Sequence, residues 1–219
     1  METEYNYNEL ENLVKSFLEQ NKTLDHIYVE GQGEVLVSSP HSVFQTRKGK
    51  YKAPEIGALK TALLIHKSTN CHFISKTKNN NDDPNFDKES NYKNTIKKLI
   101  NDNKIRYILD FHSLSKKRKC EVNLGTNFKK NIKSNKPLYR ALKKELKKQG
   151  FKTRIDFPFN GGKRTISGSL KTEFPHIWTI QVEINSNISG VEHSFVKHLK
   201  LIKILCNFVS KINTYQKIN

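Results

Sequence analysis

Apolar positions recur along the chain first with a helical period and then in short β-branched runs, and the two patterns alternate as far as the last third. Leu10, Leu13, Val14, Phe17 and Leu18 repeat at helical spacing. Short strands are predicted near Ile27 to Val29 and at Val35 to Ser38, followed by a helix from Pro54, a residue suited to a first helical turn, to about Lys67. CHFIS at 71–75 reads as the next strand. KTKNNNDDPNFDKESN, 76–91, is too polar and turn-rich for a core element and predicts a long surface loop, where function often sits. A helix near 92–103, a strand IRYILDFH at 105–112, a strand around Val122 to Leu124, a helix at about 136–149 and a strand at 151–157 continue the series. WTIQVEIN at 178–185 supplies a last strand and 191–213 a closing helix. Such alternation predicts an α/β fold, a sheet with helices on its faces. No internal repeat or linker interrupts it.

The chain has 219 residues, 35% of them hydrophobic, which suits one α/β domain over 1–219 and is short for two. No run approaches the roughly 18 apolar residues of a membrane span, and METEYNYNELENLV is acidic and polar where a secretion signal would be basic and then apolar. No membrane is expected as a partner and a cytoplasmic location is expected. Cys71, Cys120 and Cys206 are scattered with no C-x-x-C pair, so they are expected to be reduced and mostly buried.

With 39 Lys and Arg against 21 Asp and Glu, the net charge of +18 raises nucleic acid as a partner. Only six of the 39 are Arg, and Lys, Asn and Ile abound throughout, as AT-rich coding DNA would produce without selection for a ligand. The charge is nevertheless uneven. Residues 116–172 hold 18 Lys and Arg against Glu121, Glu145 and Asp156, which points to an anionic substrate or partner near that segment.

Three strands end or run on polar groups that packing would not choose. VLVSSPH stops at His41, IRYILDFHS at His112, and WTIQVEIN carries Glu183 inside an apolar run. In open α/β sheets ligands bind beyond strand ends. A buried glutamate needs a cation or a set of hydrogen bonds. Asp110 and His112, two apart on a strand, share a face. A metal would satisfy the cluster, since imidazoles and a carboxylate are the ligands of an open catalytic zinc site.

The order of these motifs resembles the N-formylglutamate amidohydrolase family: Pro40-His41-Ser42 after a strand, Glu55 at the next helix, Asp110-Phe111-His112-Ser113, Gly125-Thr126, Phe159-Asn160-Gly161-Gly162 and Gln181-Val182-Glu183-Ile184. The match runs from about 35 to 185. The resemblance implies a three-layer fold like that of zinc carboxypeptidases, with a mixed central sheet between helical layers, and hydrolysis of amide bonds at a metal. It implies one zinc per chain held by His41, Glu55 and His112, a water in the fourth place with its pKa lowered to about 7, and Glu183 as general base and then acid. Glu183 could instead form a structural salt bridge, and Glu55 could simply favour the first turn of its helix through the dipole. Asp110 is expected to accept from a ligand imidazole, or to be a ligand itself, and Ser113 to hydrogen-bond to the site. Neither Ser42 nor Ser113 sits in a nucleophile elbow.

Arginine suits a carboxylate substrate and a developing oxyanion. Arg47, between two implied ligands, resembles an arginine at that place in part of the family and is taken as catalytic; Arg118 and Arg164, close after motifs, Asn85 in a turn expected over the site, and Gly161 and Gly162 as an anion-binding turn are expected to bind substrate. For Arg118, flanked by lysines, a solvated surface charge is the competing expectation. His66, His72, His176, His193 and His198 lack such company and are expected in the core or at the surface. Val43, where the formylglutamate branch has a small residue, leaves open N-formylglutamate or another small N-acyl or γ-glutamyl anion as substrate. The competing classes are a basic nucleic-acid-binding protein and a non-catalytic metal- or ligand-binding member of the fold.

Overall fold

Asn6 opens the first helix by a reciprocal cap: its side chain accepts from Glu9 N, and the Glu9 carboxylate accepts from Asn6 N. The computed structural model describes residues 5–215. In chain order the elements are Tyr7–Asn21 (α1), His26–Val29 (β1), Val35–Ser39 (β2), Gln45–Arg47 (β3), Lys50–Lys52 (β4), Ile56–Thr69 (α2), His72–Lys76 (β5) and Asn91–Asn101 (α3). They continue with Tyr107–Leu114 (β6), Val122–Gly125 (β7), Lys136–Lys148 (α4), Thr153–Ile155 (β8), Ile166–Glu173 (α5), Trp178–Asn185 (β9), Ser186–Ser189 (α6) and Phe195–Tyr215 (α7).

Seven strands form one sheet in the order β1-β5-β2-β6-β9-β7-β8. Strands β5, β2, β6 and β9 are mutually parallel, β1 and β7 pair antiparallel with β5 and β9, and β8 runs parallel to β7. The sheet is therefore mixed, as expected. One face carries Val35, Val37, Leu109, Phe111, Ile180 and Val182 against the apolar sides of α1, α2, α4 and α7. The other carries Leu36, Ile74 and Ile108 against α3 and α5. Helices thus cover both faces, giving three layers.

The second face changes character along the strands. Its apolar packing occupies the N-terminal half, and toward the strand C-termini the same face turns polar. Ser38, Asp110 and Gln181 lie side by side in one row, and His112, Glu183 and Asn123 in the next. Strand periodicity places these groups together, because Ser38, Asp110 and His112 are an even step from Leu36 or Ile108, while Gln181, Glu183 and Asn123 are an odd step from the apolar residues that face the other layer.

Three elements escape the hydrophobic pattern. The segment around Arg47 is a hairpin of β3 and β4, closed by Lys48 and Gly49 with φ of 51° and 72°; both signs suit a type I′ turn. QTRKGKYK offers no apolar alternation to reveal it. Helices α5 and α6 are too short for a periodic stripe. The strand expected over 151–157 is only Thr153–Ile155, and the closing helix begins at Phe195 after one 3-10 turn at Glu192–Ser194. All three cysteines are unpaired and buried. Among the described residues no helix is long and apolar enough to cross a membrane.

Candidate metal centre and cleft

Strand β2 ends at Ser39, and the turn that follows swings His41 back over the C-terminal edge of the sheet toward His112 on β6. Their rings lie 4.8 Å apart at 73°. Glu55 stands at the N-cap of α2 but its side chain makes no cap hydrogen bond. Its carboxylate turns to the imidazoles instead, Oε1 lying 3.0 Å from His41 Nδ1 and Oε2 3.2 Å from His112 Nδ1. The helix-dipole account of Glu55 is therefore insufficient. Ser113 N donates to the same Oε2 at 2.9 Å, so the support that Ser113 gives comes from its backbone. His41, Glu55 and His112 offer ligand atoms all within 4.8 Å of one another.

Behind each imidazole stands a buried carboxylate. His41 Nε2 is 2.9 Å from Asp83 Oδ1, and His112 Nε2 is 3.2 Å from Asp110 Oδ2. Both carboxylates are fully buried and themselves held, Asp110 by the hydroxyl of Ser38 at 2.8 Å and Asp83 by Arg47 Nε at 2.6 Å. This pattern fixes Nδ1 of each ring as the free face and raises its basicity.

The electrostatics ask for a cation. Three carboxylates converge on two imidazoles, and among the described residues Arg47 is the one Lys or Arg paired with any of them. Burial opposes charge on His41, but Glu55 and Asp83 outweigh it and hold its pKa above the ordinary value. His112, equally buried, is driven well up by Asp110 and Glu55. Burial alone would raise Glu55 and Asp83; the neighbouring cations win, lowering Glu55 strongly and Asp83 to about 2. Protons cannot satisfy this demand well, because His41 Nδ1 and His112 Nδ1 are only 3.3 Å apart and protons on both would face each other. One divalent ion among them would answer all three groups, so the residues fit a zinc site of two histidines and a glutamate.

Glu183 neighbours His112 across the β6–β9 ladder and is 4% exposed. No lysine or arginine pairs with it among the described residues, so the salt-bridge alternative is not what the fold builds. Its Oε1 accepts from Gln181 Nε2 at 2.6 Å. Burial pushes its pKa up to about 8, against the pull of the imidazoles. The carboxyl group thus opens onto the cleft with a strong affinity for a proton.

The cleft has a volume of about 350 Å³. Arg47, Phe86 and Arg164 form one wall and Phe159 to Gly161 another. Arg47, Lys48 and Arg164 all lie against the Phe86 ring, at 5.1, 5.5 and 5.5 Å. Asn85 also lines the cleft, yet its Oδ1 accepts from Ile166 N, tying the 82–87 loop to the start of α5. Gly161, at φ 66°, reaches the cleft where an added Cβ would sit 2.9 Å from Gly125 O. Its neighbour Gly162 does not line it; the Gly162 carbonyl accepts from Thr165 N and Oγ1 and shapes the entry to α5.

Arg118 is not among the residues of the cleft. It is exposed on the 115–119 loop, outside the cleft, because that loop leaves β6 toward the β7 edge of the sheet. Ser42 is engaged with Ser39 O and Ser75 Oγ, both at 2.7 Å, as a turn residue. His66, His72 and His198 make hydrogen bonds elsewhere in the core, and His193 lies away from the cluster. Asp83 and Phe86 also join the site, Asp83 behind His41 and Phe86 in the cleft wall, from the polar run 76–91 that conceals them. An aspartate in such a loop carries no mark distinguishing it from Asp82 or Asp87.

No family model and no curated protein matches the sequence. Solved structures do. N-formylglutamate amidohydrolase from Ralstonia eutropha superposes with a TM-score of 0.57 at 13% identity, over 87% of this chain and 97% of that one. A bacteriophage poly-gamma-glutamate hydrolase gives 0.52 at 13%, over 94% and 97%. A metallo-carboxypeptidase from Pseudomonas aeruginosa gives 0.51 at 8%, over 95% of this chain and 70% of that chain. At these identities the likeness shows the fold: a three-layer α/β arrangement with a mixed central sheet, similar to that of N-formylglutamate amidohydrolase and a metallo-carboxypeptidase.

Proposed function

We propose that the protein is a zinc-dependent amidohydrolase cleaving an amide bond in a small carboxylate-bearing substrate, N-formylglutamate or a related N-acyl or γ-glutamyl compound. The observation that carries this reading is the convergence of His41, Glu55 and His112 within 4.8 Å, each imidazole backed by a buried carboxylate, beside the unpaired carboxyl of Glu183. Neighbours of the fold named as amidohydrolase and carboxypeptidase are consistent with it.

His41 Nδ1, Glu55 and His112 Nδ1 would hold the zinc, which when bound makes water acidic near neutral pH and polarises an amide carbonyl. Glu183 takes the proton of the attacking water and passes it to the departing nitrogen, for which its raised affinity and its opening onto the cleft suit it. Gln181 fixes that carboxyl group through its amide. Arg47, held by Asp83 through Nε, keeps its terminal nitrogens for negative charge developing on the carbonyl oxygen. Arg164, stacked on Phe86 and without an ion-pair partner among the described residues, binds the substrate carboxylate.

The test is elemental analysis of gently purified protein together with a screen of N-acyl amino acids. About one zinc per chain is expected, with hydrolysis of at least one acidic N-acyl substrate. Glu183→Gln should keep the zinc and the fold and lose about 10²–10⁴-fold in kcat. Full activity in that variant, or protein that takes up no zinc, overturns the reading.

A further inference from the structure

Two more cavities adjoin the cleft, one directly and one through the first. One, of about 220 Å³, is bounded by the 117–120 loop, Arg154, Phe157 and Pro158. Pro158 also lines the zinc cleft, so a single proline ridge separates the two. The other, of about 430 Å³, shares Arg118, Lys119 and Cys120 with the first and extends to Lys152 and Lys197. The three depressions therefore adjoin one another in series, each sharing wall residues with the next.

The lining of the outer two is strongly basic. Lys117, Arg118, Lys119 and Arg154 make no ion pair among the described residues. Glu121 is the one acid on either cavity, and Lys197 neutralises it at 2.5 Å. The loop that gathers these cations is fixed: the buried Asn185 amide donates to the carbonyls of Arg118 and Cys120 at 2.9 and 3.0 Å, and Asn187 donates to Lys116 O at 3.1 Å. Arg154 lies 5.6 Å over the exposed Phe157 ring. A fold that pins like charges together without partners bears a repulsive cost that an anionic ligand would relieve.

We propose that this trough binds the outer part of the substrate, and that the substrate is an acidic peptide chain bearing several carboxylates, its scissile amide in the cleft and its remaining residues laid over Pro158 onto the 117–119 loop. The proposal rests on the amidohydrolase reading of the cleft and extends it from one carboxylate to many. A peptide is favoured over a nucleic acid because the trough abuts a cleft whose walls carry Arg47 and Arg164 and whose proposed chemistry addresses amides. Arg118, absent from the cleft, acquires a role here as a distal contact.

The test uses labelled oligoglutamates, α- and γ-linked, from the dipeptide to the octapeptide, binding to zinc-loaded Glu183→Gln protein followed by fluorescence anisotropy at low salt. The octapeptide should bind about tenfold or more tightly than the dipeptide, an advantage that added salt removes. Adding Lys117→Glu and Lys119→Glu should bring the two affinities to within about threefold of each other. Equal affinity at all lengths, or an equal loss for short and long peptides in the charge-reversal variant, overturns the proposal. So does a single-stranded oligonucleotide that binds the trough tightly and is not displaced by the octapeptide. Cleavage of N-acyl amino acids without any length dependence would sink the trough and spare the catalytic reading; length-dependent binding without hydrolysis of any amide would do the reverse.

Discussion

Replacing Asp83 by Asn tests the logic of the metal centre at a residue that touches no substrate. The side chain is fully buried, with Oδ1 at 2.9 Å from His41 Nε2 and Oδ2 at 2.6 Å from Arg47 Nε. Asparagine keeps the shape, and its oxygen can still accept from His41 and from Asn85 N, so the loop stays in place. What disappears is the negative charge that makes His41 Nδ1 a better donor to a metal. Losses of such outer partners cost about 10–100-fold in metal affinity, equivalent to about 1.4–2.7 kcal/mol. The measurement is zinc titration against a chromophoric chelator, with circular dichroism to establish that the fold persists. Arg47→Ala is the control: it removes the other partner of Asp83 but leaves His41 and Asp83 in contact. That ion pair is partly exposed on the arginine side, worth at most about 1 kcal/mol, so zinc affinity should change by no more than about fivefold. If Asp83→Asn binds zinc as tightly as the parent, or if Arg47→Ala weakens it more, Asp83 does not act through His41 and the account of the centre is wrong.

Removing zinc by chelation should lower the midpoint of thermal unfolding by roughly 10 °C, since saturation at about a thousand times Kd contributes about 4 kcal/mol; an unchanged midpoint would show that the three ligands do not bind an ion together. His198, fully buried against Thr61, has its pKa lowered to about 3 by burial and then by Lys60. Its unfolded pKa is near 6.5, so between those values the unfolded chain takes a proton that the folded one refuses, and stability falls as pH drops by about 1.4 kcal/mol per unit. Urea titrations from pH 7 to pH 5 should therefore show a shallower loss in His198→Gln than in the parent, and parallel curves would refute the assignment. Gly168→Ala would place a methyl 2.0 Å from Gly162 O, which the α5 entry cannot relieve cheaply. A cost of about 1–3 kcal/mol is expected, a fall of several degrees in a melting curve, and a neutral outcome would mean the turn carrying Arg164 is softer than drawn.

Parts of the candidate site were legible because a polar group interrupts an apolar run at a strand end, where it has no packing reason to be. Glu183 in WTIQVEIN and His112 in IRYILDFHS are of that kind, and strand periodicity then forces them onto one face. The layered sheet was legible for the same reason, since its strands and long helices bury enough to leave a period. The hairpin carrying Arg47 was not, because its exposed residues owe their geometry to a turn and to contact with Asp82 and Asp83, not to burial. Asp83 itself depends on a contact 42 positions away, which no local pattern encodes. Arg118 lies outside the cleft because nearness to His112 in sequence is not nearness in space once a strand has ended. Asn123 went unremarked, although its amide holds both Phe157 N and Phe159 O and so sets the far wall of the cleft.

The division of labour between floor and walls has a consequence for how such a protein can change. The proposed ion-binding groups stand on strand ends and a helix start anchored in the apolar interior, whereas Arg47, Phe86, Phe159 and Arg164 arrive on three separate connecting segments. Those segments can be lengthened, shortened or exchanged while the interior that aligns His41, Glu55 and His112 is left intact. Under the proposed reading, selectivity for a new acyl group is thus open to drift one segment at a time, and each intermediate along that route keeps the alignment of His41, Glu55 and His112.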